Sequence, residues 1–491
     1  MRPVMMVAAG VVALGLGGPA HAAEVNEQGA RELKGRLGEV LSDDLLKSGF
    51  VTVKPATNLY EVTFDLAKFF DKISSADFAV TGFKPWTMLV APLESGLWSI
   101  EGKTDLDISM RTRLEHGRMA TLDYSLASLL YSGVFDPAIS YLRSADVNAK
   151  DIRFSSVSGN EKVEGSAAGM TYKMAAIDSS EPHRVDFHAS GSVPSFRESM
   201  SSPGFPQTTL TADTLDLNAE AAGVPVREIR DLIRFVVKHV KTKQLSKTGS
   251  EHFEGLVRAA LPLFSTLQEE VTANNLTVSV AGSDKTSQGS VKKLGYTFGM
   301  TGLTKASRLD FGVHVEDIGL SDGLMPPAFT ALVPSLVEMQ VAIPDLDFAG
   351  AVNAFLEADL AKPGPLSKEE TDRIGRMVLP GGKLVVEVPK LTAKSSVYDL
   401  ELMGKLTSDV RRTDRHAMEA TILARDYDKT IAFVQDAAKT DPRLNQVSFM
   451  MMMAKGFAKT EPDGRQRWEV AVADDGSVTV NGQTMKKPDA N

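Results

Sequence analysis

Ser321 lies at the centre of residues 319–323, whose spacing fits the G-x-S-x-G pattern of a serine nucleophile. That pattern needs a buried parallel strand before the serine and a helix directly after it. Here the preceding residues, Leu309 to Val315, alternate apolar and polar, which is typical of a half-exposed antiparallel strand. Two prolines at 326 and 327 follow. We therefore predict a turn at Ser321 and keep a serine hydrolase only as a remote alternative.

Histidines and paired aspartates are the usual sources of metal ligands. A helical zinc site needs two histidines four residues apart, and no pair has that spacing. Asp345 and Asp347 open like a calcium loop, but Ala349 and Leu356 occupy positions that should provide oxygen ligands. We predict no catalytic residues, no metal site, no cofactor and no enzymatic activity. The histidines considered are His116, His183, His188, His239, His252, His314 and His416.

A basic segment at residues 226–247 stands out in a chain whose net charge is −9. Its acidic residues are Glu228 and Asp231 alone. A basic amphipathic helix can lie on an anionic membrane surface. The ordinary alternative, which we favour, is an apolar stripe facing the core with a solvated charged back. The candidate membrane contacts are Arg227, Arg230, Arg234, Lys238, Lys241 and Lys243, and Lys247 is the seventh cation.

Phe449 is followed by four consecutive methionines, residues 450–453. Flexible thioether side chains fill irregular apolar gaps and also suit a surface that accommodates lipid. We predict that these residues fill the core.

Alternating segments predict that the first half of the chain is a sheet. Tyr60 to Leu66, Leu97 to Arg111 and Asp151 to Met174 all alternate, with turns at 116–117 and 158–160. Two amphipathic helices, Val226 to Lys243 and Ser250 to Thr272, should then form a hairpin, and Pro262 should kink or split the second.

The second half mixes strands and helices. A capping box at Ser367 to Glu370 predicts a helix that ends near Pro380. A last hairpin should turn at Asp475 and Gly476. Further helices are predicted at Phe348 to Leu360, Tyr427 to Ala438 and Arg443 to Ala458. Strands are predicted at Asn275 to Ala281, Tyr296 to Gly302, Leu309 to Val315, Lys383 to Val388, Ser395 to Leu406 and Ala417 to Ala424.

Strand runs separated by groups of helices favour an α+β fold, with a large, curved, mainly antiparallel β-sheet and helical hairpins packed against it. We expect an N-terminal β-rich region at 23–222, a helical hairpin plus β-meander at 223–362, and a C-terminal α+β region at 363–491. The three could share one continuous sheet.

The first 22 residues predict a cleavable export signal. Arg2 precedes an uncharged run from Val4 to Gly17, and Ala20 and Ala22 flank His21 as a signal peptidase requires. We therefore expect a periplasmic protein. The chain has no cysteine, which excludes disulfides and a lipid-anchored N-terminus. Its acidic balance argues against nucleic acid as a partner.

Two C-terminal stretches, Asp317 to Phe348 and Gly381 to Leu406, are similar to the strand-rich repeats of AsmA-like envelope proteins. The ending DGSVTVNG, residues 475–482, resembles the close of the YdgA-like periplasmic families of uncharacterised function. The resemblance covers roughly residues 270–485 and implies a long curved sheet with helices against it. It also implies a role in the envelope, with lipid or another amphiphile in a groove. A scaffold that binds a protein partner without a ligand is the alternative.

Overall fold

The computed structural model describes residues 25–38, 47–114, 117–139, 141–239, 245–282, 285–321, 323–357, 367–410 and 416–487. The predicted export signal, residues 1–22, lies outside these ranges. The chain divides into two compact units, and the division falls within the strand Thr266–Ala281. The first unit comprises Met1–Ser265 and Val280–Ser283, and the second comprises Thr266–Ser279 and Asp284–Asn491. The helical hairpin, placed by the sequence in the region 223–362, is counted with the first unit.

The first unit begins with short elements and continues with six long strands. The elements in order are α1 (Glu27–Gly38), β1 (Val51–Ala56), β2 (Leu59–Phe64), α2 (Leu66–Ile73), β3 (Phe78–Thr81), β4 (Trp86–Pro92), β5 (Trp98–Arg113), β6 (Met119–Asp136), β7 (Tyr141–Ser158), β8 (Glu161–Asp178), β9 (Val185–Ser202), β10 (Phe205–Val224), α3 (Val226–His239) and α4 (Lys247–Ala260). Strands β5 to β10 pair in sequence order, and every one of these pairs is antiparallel.

The best-buried core of the first unit lies where α1 packs against the short strands. Leu37, Tyr60 and Phe135 are completely or almost completely buried in one cluster. The sequence analysis missed helices α1 and α2. Ala30, Leu33 and Leu37 have the three- and four-residue spacing of a buried helix face, so a signal for α1 was present.

The predicted helical hairpin is present, but its second helix is shorter than expected. Helix α4 ends at Ala260, and Leu261 is already extended, with φ −82° and ψ 147°. Proline disfavours helical backbone in the residue before it, so Pro262 ends the helix. The prediction of helix as far as Thr272 was therefore wrong, because the strand starting at Thr266 occupies that part of the chain. Residues 240–243 of the predicted first helix lie outside the described residues.

The second unit combines a strand meander with helices. Its elements are β11 (Thr266–Ala281, at the division), β12 (Thr286–Thr301), β13 (Ser307–Leu320), a 3₁₀ turn (Pro327–Leu332), β14 (Leu336–Leu346), α5 (Phe348–Leu356), α6 (Lys368–Val378), a second 3₁₀ turn (Pro380–Gly382), β15 (Lys383–Lys394), β16 (Asp399–Asp409), β17 (His416–Arg425), α7 (Tyr427–Ala437), α8 (Leu444–Phe457), β18 (Lys459–Thr460), β19 (Gln466–Val472), β20 (Val478–Val480) and β21 (Gln483–Lys486). Strands β12 to β17 pair in sequence order, and β17 pairs with β19.

Two local features predicted for the second unit, a capping box and a hairpin turn, are confirmed by the structure. Ser367 Oγ accepts a hydrogen bond from the Glu370 backbone N–H at 3.2 Å, and the Glu370 carboxylate accepts one from the Ser367 N–H at 2.9 Å. This is the predicted capping box. The last hairpin turns at Gly476, whose φ of 74° suits glycine. The coarse prediction of an antiparallel sheet with helices is confirmed.

Candidate functional site

The serine and aspartates considered for chemistry have structural roles in the backbone. Ser321 Oγ accepts a hydrogen bond from the Gln288 N–H at 2.8 Å, directly after the antiparallel strand β13. The Asp347 carboxylate accepts one from the Gly350 N–H at 2.6 Å and caps helix α5. The predicted turn at Ser321 is confirmed, and Asp347 lies between the end of β14 and the start of α5.

The described histidines have varied surroundings, and His239 and His252 both pack against the Phe235 ring, with centroids 4.1 and 5.4 Å away. His314 Nε2 lies 2.7 Å from a carboxylate oxygen of Glu316 and its Nδ1 lies 3.4 Å from Glu338. Lys390 also hydrogen-bonds Glu338 and is the main cause of the lowered pKa of that carboxyl group. His188 lies 3.4 Å from Glu220. Among the residues that the structure describes, no three potential ligands are close enough to hold a metal ion.

A continuous apolar surface covers one face of strands β5 to β10, and we call it the N-terminal apolar face. Tyr124 pairs with Ile108 on one side and with Phe154 on the other. Val147 pairs with Tyr172 in the same way. At one corner of this face, Trp98, Ile100 and Phe135 pack in the cluster that includes α1. Its other larger side chains include Leu106, Ile108, Leu122, Tyr124, Leu126, Leu129, Tyr131, Val147, Ile152, Phe154, Val163, Met170, Tyr172, Met174, Phe187, Val193, Phe196, Leu210, Leu215 and Leu217.

Irregularities in the middle of the strands keep this face apolar over its whole length. In β7 the apolar face carries the odd-numbered residues Val147 and Ala149 in the first half of the strand. In the second half it carries the even-numbered residues Ile152 and Phe154. Asp151, with a positive φ of 51°, lies at the change. Strands β6, β8, β9 and β10 change in the same way. Side chains of a regular strand alternate between the two faces. A regular 18-residue strand would therefore keep its apolar face only if apolar and polar residues alternated without a break.

Strand residues alone form the buried centre of this face. Leu126, Leu129 and Ala149 are buried together, and the partly buried side chains around them also come from strands. Most other large side chains of the face are half-buried. Burial raises the pKa of the phenol groups of Tyr124 and Tyr172, which is consistent with an apolar environment.

The ends of the face differ from its centre. Near one end, Val226 at the start of α3 packs with Ile139 and Val185. Near the other end, Met200 is exposed. Half-buried apolar side chains therefore extend along the face between these two ends.

The opposite face of the same strands is polar. A depression of about 500 Å³ there is lined by Asp123, Arg153 and Arg197, among others. A second depression, of about 770 Å³, is lined by Asp146, Lys173 and further polar residues. Acidic and basic side chains are interspersed in both, as on a solvated surface. The contrast between the two faces makes the apolar face the candidate binding surface.

The second unit also has an apolar sheet face. Phe298 pairs with Phe311, which in turn pairs with Val341. Ile422 pairs with Trp468, and the Trp468 indole packs edge-on against Tyr427 of α7 at 5.1 Å. The indole Nε1 also donates a hydrogen bond to the Ala454 carbonyl of α8 at 2.7 Å. Helices therefore contact this face at its Trp468 end.

The prediction that the methionines of α8 fill the core was wrong. Phe449, Met450, Met452 and Met453 are all exposed, with Met450 52% accessible. Successive residues of a helix are 100° apart, so consecutive side chains cannot all face one neighbour. The helix buries the small Ser448 and contacts Tyr427 and Trp468 through backbone carbonyl groups.

The basic segment has three described arginines on helix α3. Arg227 Nε donates to the Ala138 carbonyl at 2.7 Å. Arg230 pairs with the neighbouring Asp231 at 2.8 Å, and Arg234 is half-buried. Lys241 and Lys243 lie outside the described residues, as does the side chain of Lys238.

Comparison with protein families, with curated proteins and with solved structures finds no match to this chain. Among the described helices, none combines the length and the apolar character needed to cross a bilayer. The sequence analysis did not identify the N-terminal apolar face residue by residue. The mid-strand change from even to odd apolar positions is a signal that could have found it.

Proposed function

We propose that the chain is a non-enzymatic protein of the bacterial envelope that binds a lipid or another amphiphile along the N-terminal apolar face. The observation that carries this proposal is the continuous apolar surface on β5 to β10, maintained through a mid-strand change between even- and odd-numbered residues in five strands and left half-buried. Long acyl chains match such a surface because burying apolar area releases about 25 cal/mol per Å².

Two further elements of the proposal come from the sequence. The export signal at residues 1–22 supports a periplasmic location, and we expect the mature protein to begin at Ala23. The resemblance to AsmA-like and YdgA-like envelope proteins supports an α+β fold with a curved sheet and a lipid-related role. N-terminal sequencing of protein from the periplasmic fraction tests the location.

A scaffold that binds a protein partner is the second candidate function. The exposed apolar side chains of α8, including Met450 and Met453, favour it. Such a protein would have no use for an accessible apolar sheet face, so ligand binding distinguishes the two proposals.

Ligand binding is tested with a pair of neighbouring substitutions on opposite faces of β10. Leu217 lies on the apolar face and Asn218 on the polar face. A fluorescent C18 polyene fatty acid should bind the mature wild-type protein saturably. We expect Leu217→Lys to weaken binding at least tenfold, because a lysine ammonium would lose hydration beside the acyl chain.

Asn218→Lys adds the same charge to the exposed face and should leave the fatty acid affinity within twofold of wild type. Thermal unfolding by circular dichroism verifies that both variants are folded. Equal affinity in the two variants, or no saturable binding by wild type, would contradict the proposed function.

A further inference from the structure

Part of the apolar stripe of helix α3 faces water, whereas Val226 at its start is buried and Ile229 and Leu232 are partly buried. Ile233 is 43% exposed and Val236 is 48% exposed. Phe235, on another side of the helix, is buried and packs against Phe253 of α4 with ring centroids 5.7 Å apart. The favoured prediction, a stripe facing the core, was therefore wrong at Ile233 and Val236. The pairing with α4 uses Phe235 and leaves these aliphatic side chains accessible.

Cations accompany the exposed stripe. Arg227, Arg230 and Arg234 follow one another at three- and four-residue spacing, so they lie along one side of α3. Arg227 is exposed, and its described hydrogen-bond acceptor is the Ala138 carbonyl, which does not neutralise the guanidinium charge. With the lysines that follow in sequence, residues 226–247 carry a net charge of +5 within a chain of net charge −9.

We propose that the α3–α4 hairpin lies on the surface of an anionic lipid bilayer. Ile233 and Val236 enter the boundary between headgroups and acyl chains, and the exposed Arg227 of the same helix binds a lipid phosphate. Exposed aliphatic residues beside a row of cations are the features by which interfacial helices bind membranes. Binding to a soluble protein with an apolar surface would not require the positive charge of this helix. Binding to an acidic protein would not require its exposed aliphatic side chains.

The helix is suited to lying on a bilayer and is too short to span one. Its 14 residues extend about 21 Å at ~1.5 Å per residue, below the roughly 30 Å of a hydrocarbon core. This surface is separate from the N-terminal apolar face, so the proposal goes beyond the proposed function and does not depend on it.

Vesicle flotation of the full mature protein tests the proposal. The vesicles are phosphatidylcholine alone, or phosphatidylcholine with about 30% phosphatidylglycerol, at low and at high salt. We expect at least tenfold tighter binding to the anionic vesicles, weakened by salt because screening shortens electrostatic range. Ile233→Ser combined with Val236→Ser should reduce this binding roughly tenfold. Arg227→Gln should reduce it by roughly fivefold, because one cation near the lipid surface is lost.

Met450→Ser combined with Met453→Ser is the matched control, because it removes two exposed apolar side chains from a helix outside the basic segment. Its vesicle binding should equal that of wild type. Circular dichroism and thermal unfolding verify that each variant is folded. The proposal is overturned if wild type binds neither vesicle, if both vesicles bind equally, or if the α8 variant loses binding while the hairpin variants keep it. Fatty acid binding in the Leu217→Lys test uses no vesicles, so either proposal can fail alone.

Discussion

The two units present apolar sheet faces that are covered in different ways. In the first unit, strands β5 to β10 are 16 to 20 residues long, and the cluster around Leu126 contains strand residues alone. In the second unit, strands β12 to β17 are 10 to 16 residues long, and α7 and α8 contact Trp468. Similar alternation of apolar and polar residues thus leads in one unit to a face that helices contact at its Trp468 end, and in the other to a face whose centre is packed by strand residues alone.

We propose the first unit for the ligand because its apolar face is continuous over six long strands and its centre is packed by strand residues alone. In the second unit helices contact the sheet face at its Trp468 end, and Tyr296 and Met339 further along the same face are exposed. A face whose centre is packed by neighbouring strands, with half-buried residues on either side, has surface left for an apolar ligand.

The cluster of Leu126, Leu129 and Ala149 should give the largest effect on the stability of the first unit. Leu126 is 1% exposed, so Leu126→Ala should lower the free energy of unfolding of β5 to β8 by about 2–4 kcal/mol, through lost burial and a residual cavity. Hydrogen exchange with mass spectrometry reports the two units separately, and peptides from β12 to β17 should be unchanged.

Leu130→Ala, on the polar face of the same strand and exposed, is the control and should cost less than about 0.5 kcal/mol. If Leu126→Ala lowered the free energy of unfolding no more than Leu130→Ala, the cluster would not stabilise this sheet. The contrast between the two units would then be lost.

The positive φ of Asp151, where β7 changes between even- and odd-numbered apolar residues, should have a smaller effect on stability. Asp151 has a φ of 51°, which a β-branched side chain tolerates poorly. Asp151→Val should destabilise the first unit by about 1–2 kcal/mol, whereas Asp151→Gly should be close to neutral. Urea unfolding of the two variants measures the difference. Equal stability of the valine and glycine variants would mean that the fold does not require a positive φ at position 151.

Much of the fold could be predicted from sequence because its signals are local. Alternation identified Leu97 to Arg111 as strand, and the capping box at Ser367 identified the start of α6. The change of phase at Asp151 was harder to predict, since a bulge reads as a break in the pattern unless the pairing of both neighbouring strands is known.

The largest errors concerned which side of a helix is buried. Periodicity showed that α3 has an apolar stripe, yet the tertiary contact uses Phe235 and leaves Ile233 exposed. For α8, composition favoured burial, but the helix contacts its unit through Ser448 and backbone carbonyls. A sequence shows that a helix is amphipathic, whereas its rotation depends on the neighbours that it meets.

Photo-crosslinking with a C16 fatty acid that carries a diazirine near the end of its chain tests the central claim most directly. After irradiation of the mature protein, peptide mass spectrometry locates the labelled residues. Our account predicts that labelling concentrates on apolar-face residues of β5 to β10, such as Tyr172 and Leu217, and is competed by unlabelled fatty acid. Competable labelling confined to the second unit, or labelling that unlabelled fatty acid does not reduce, would contradict it.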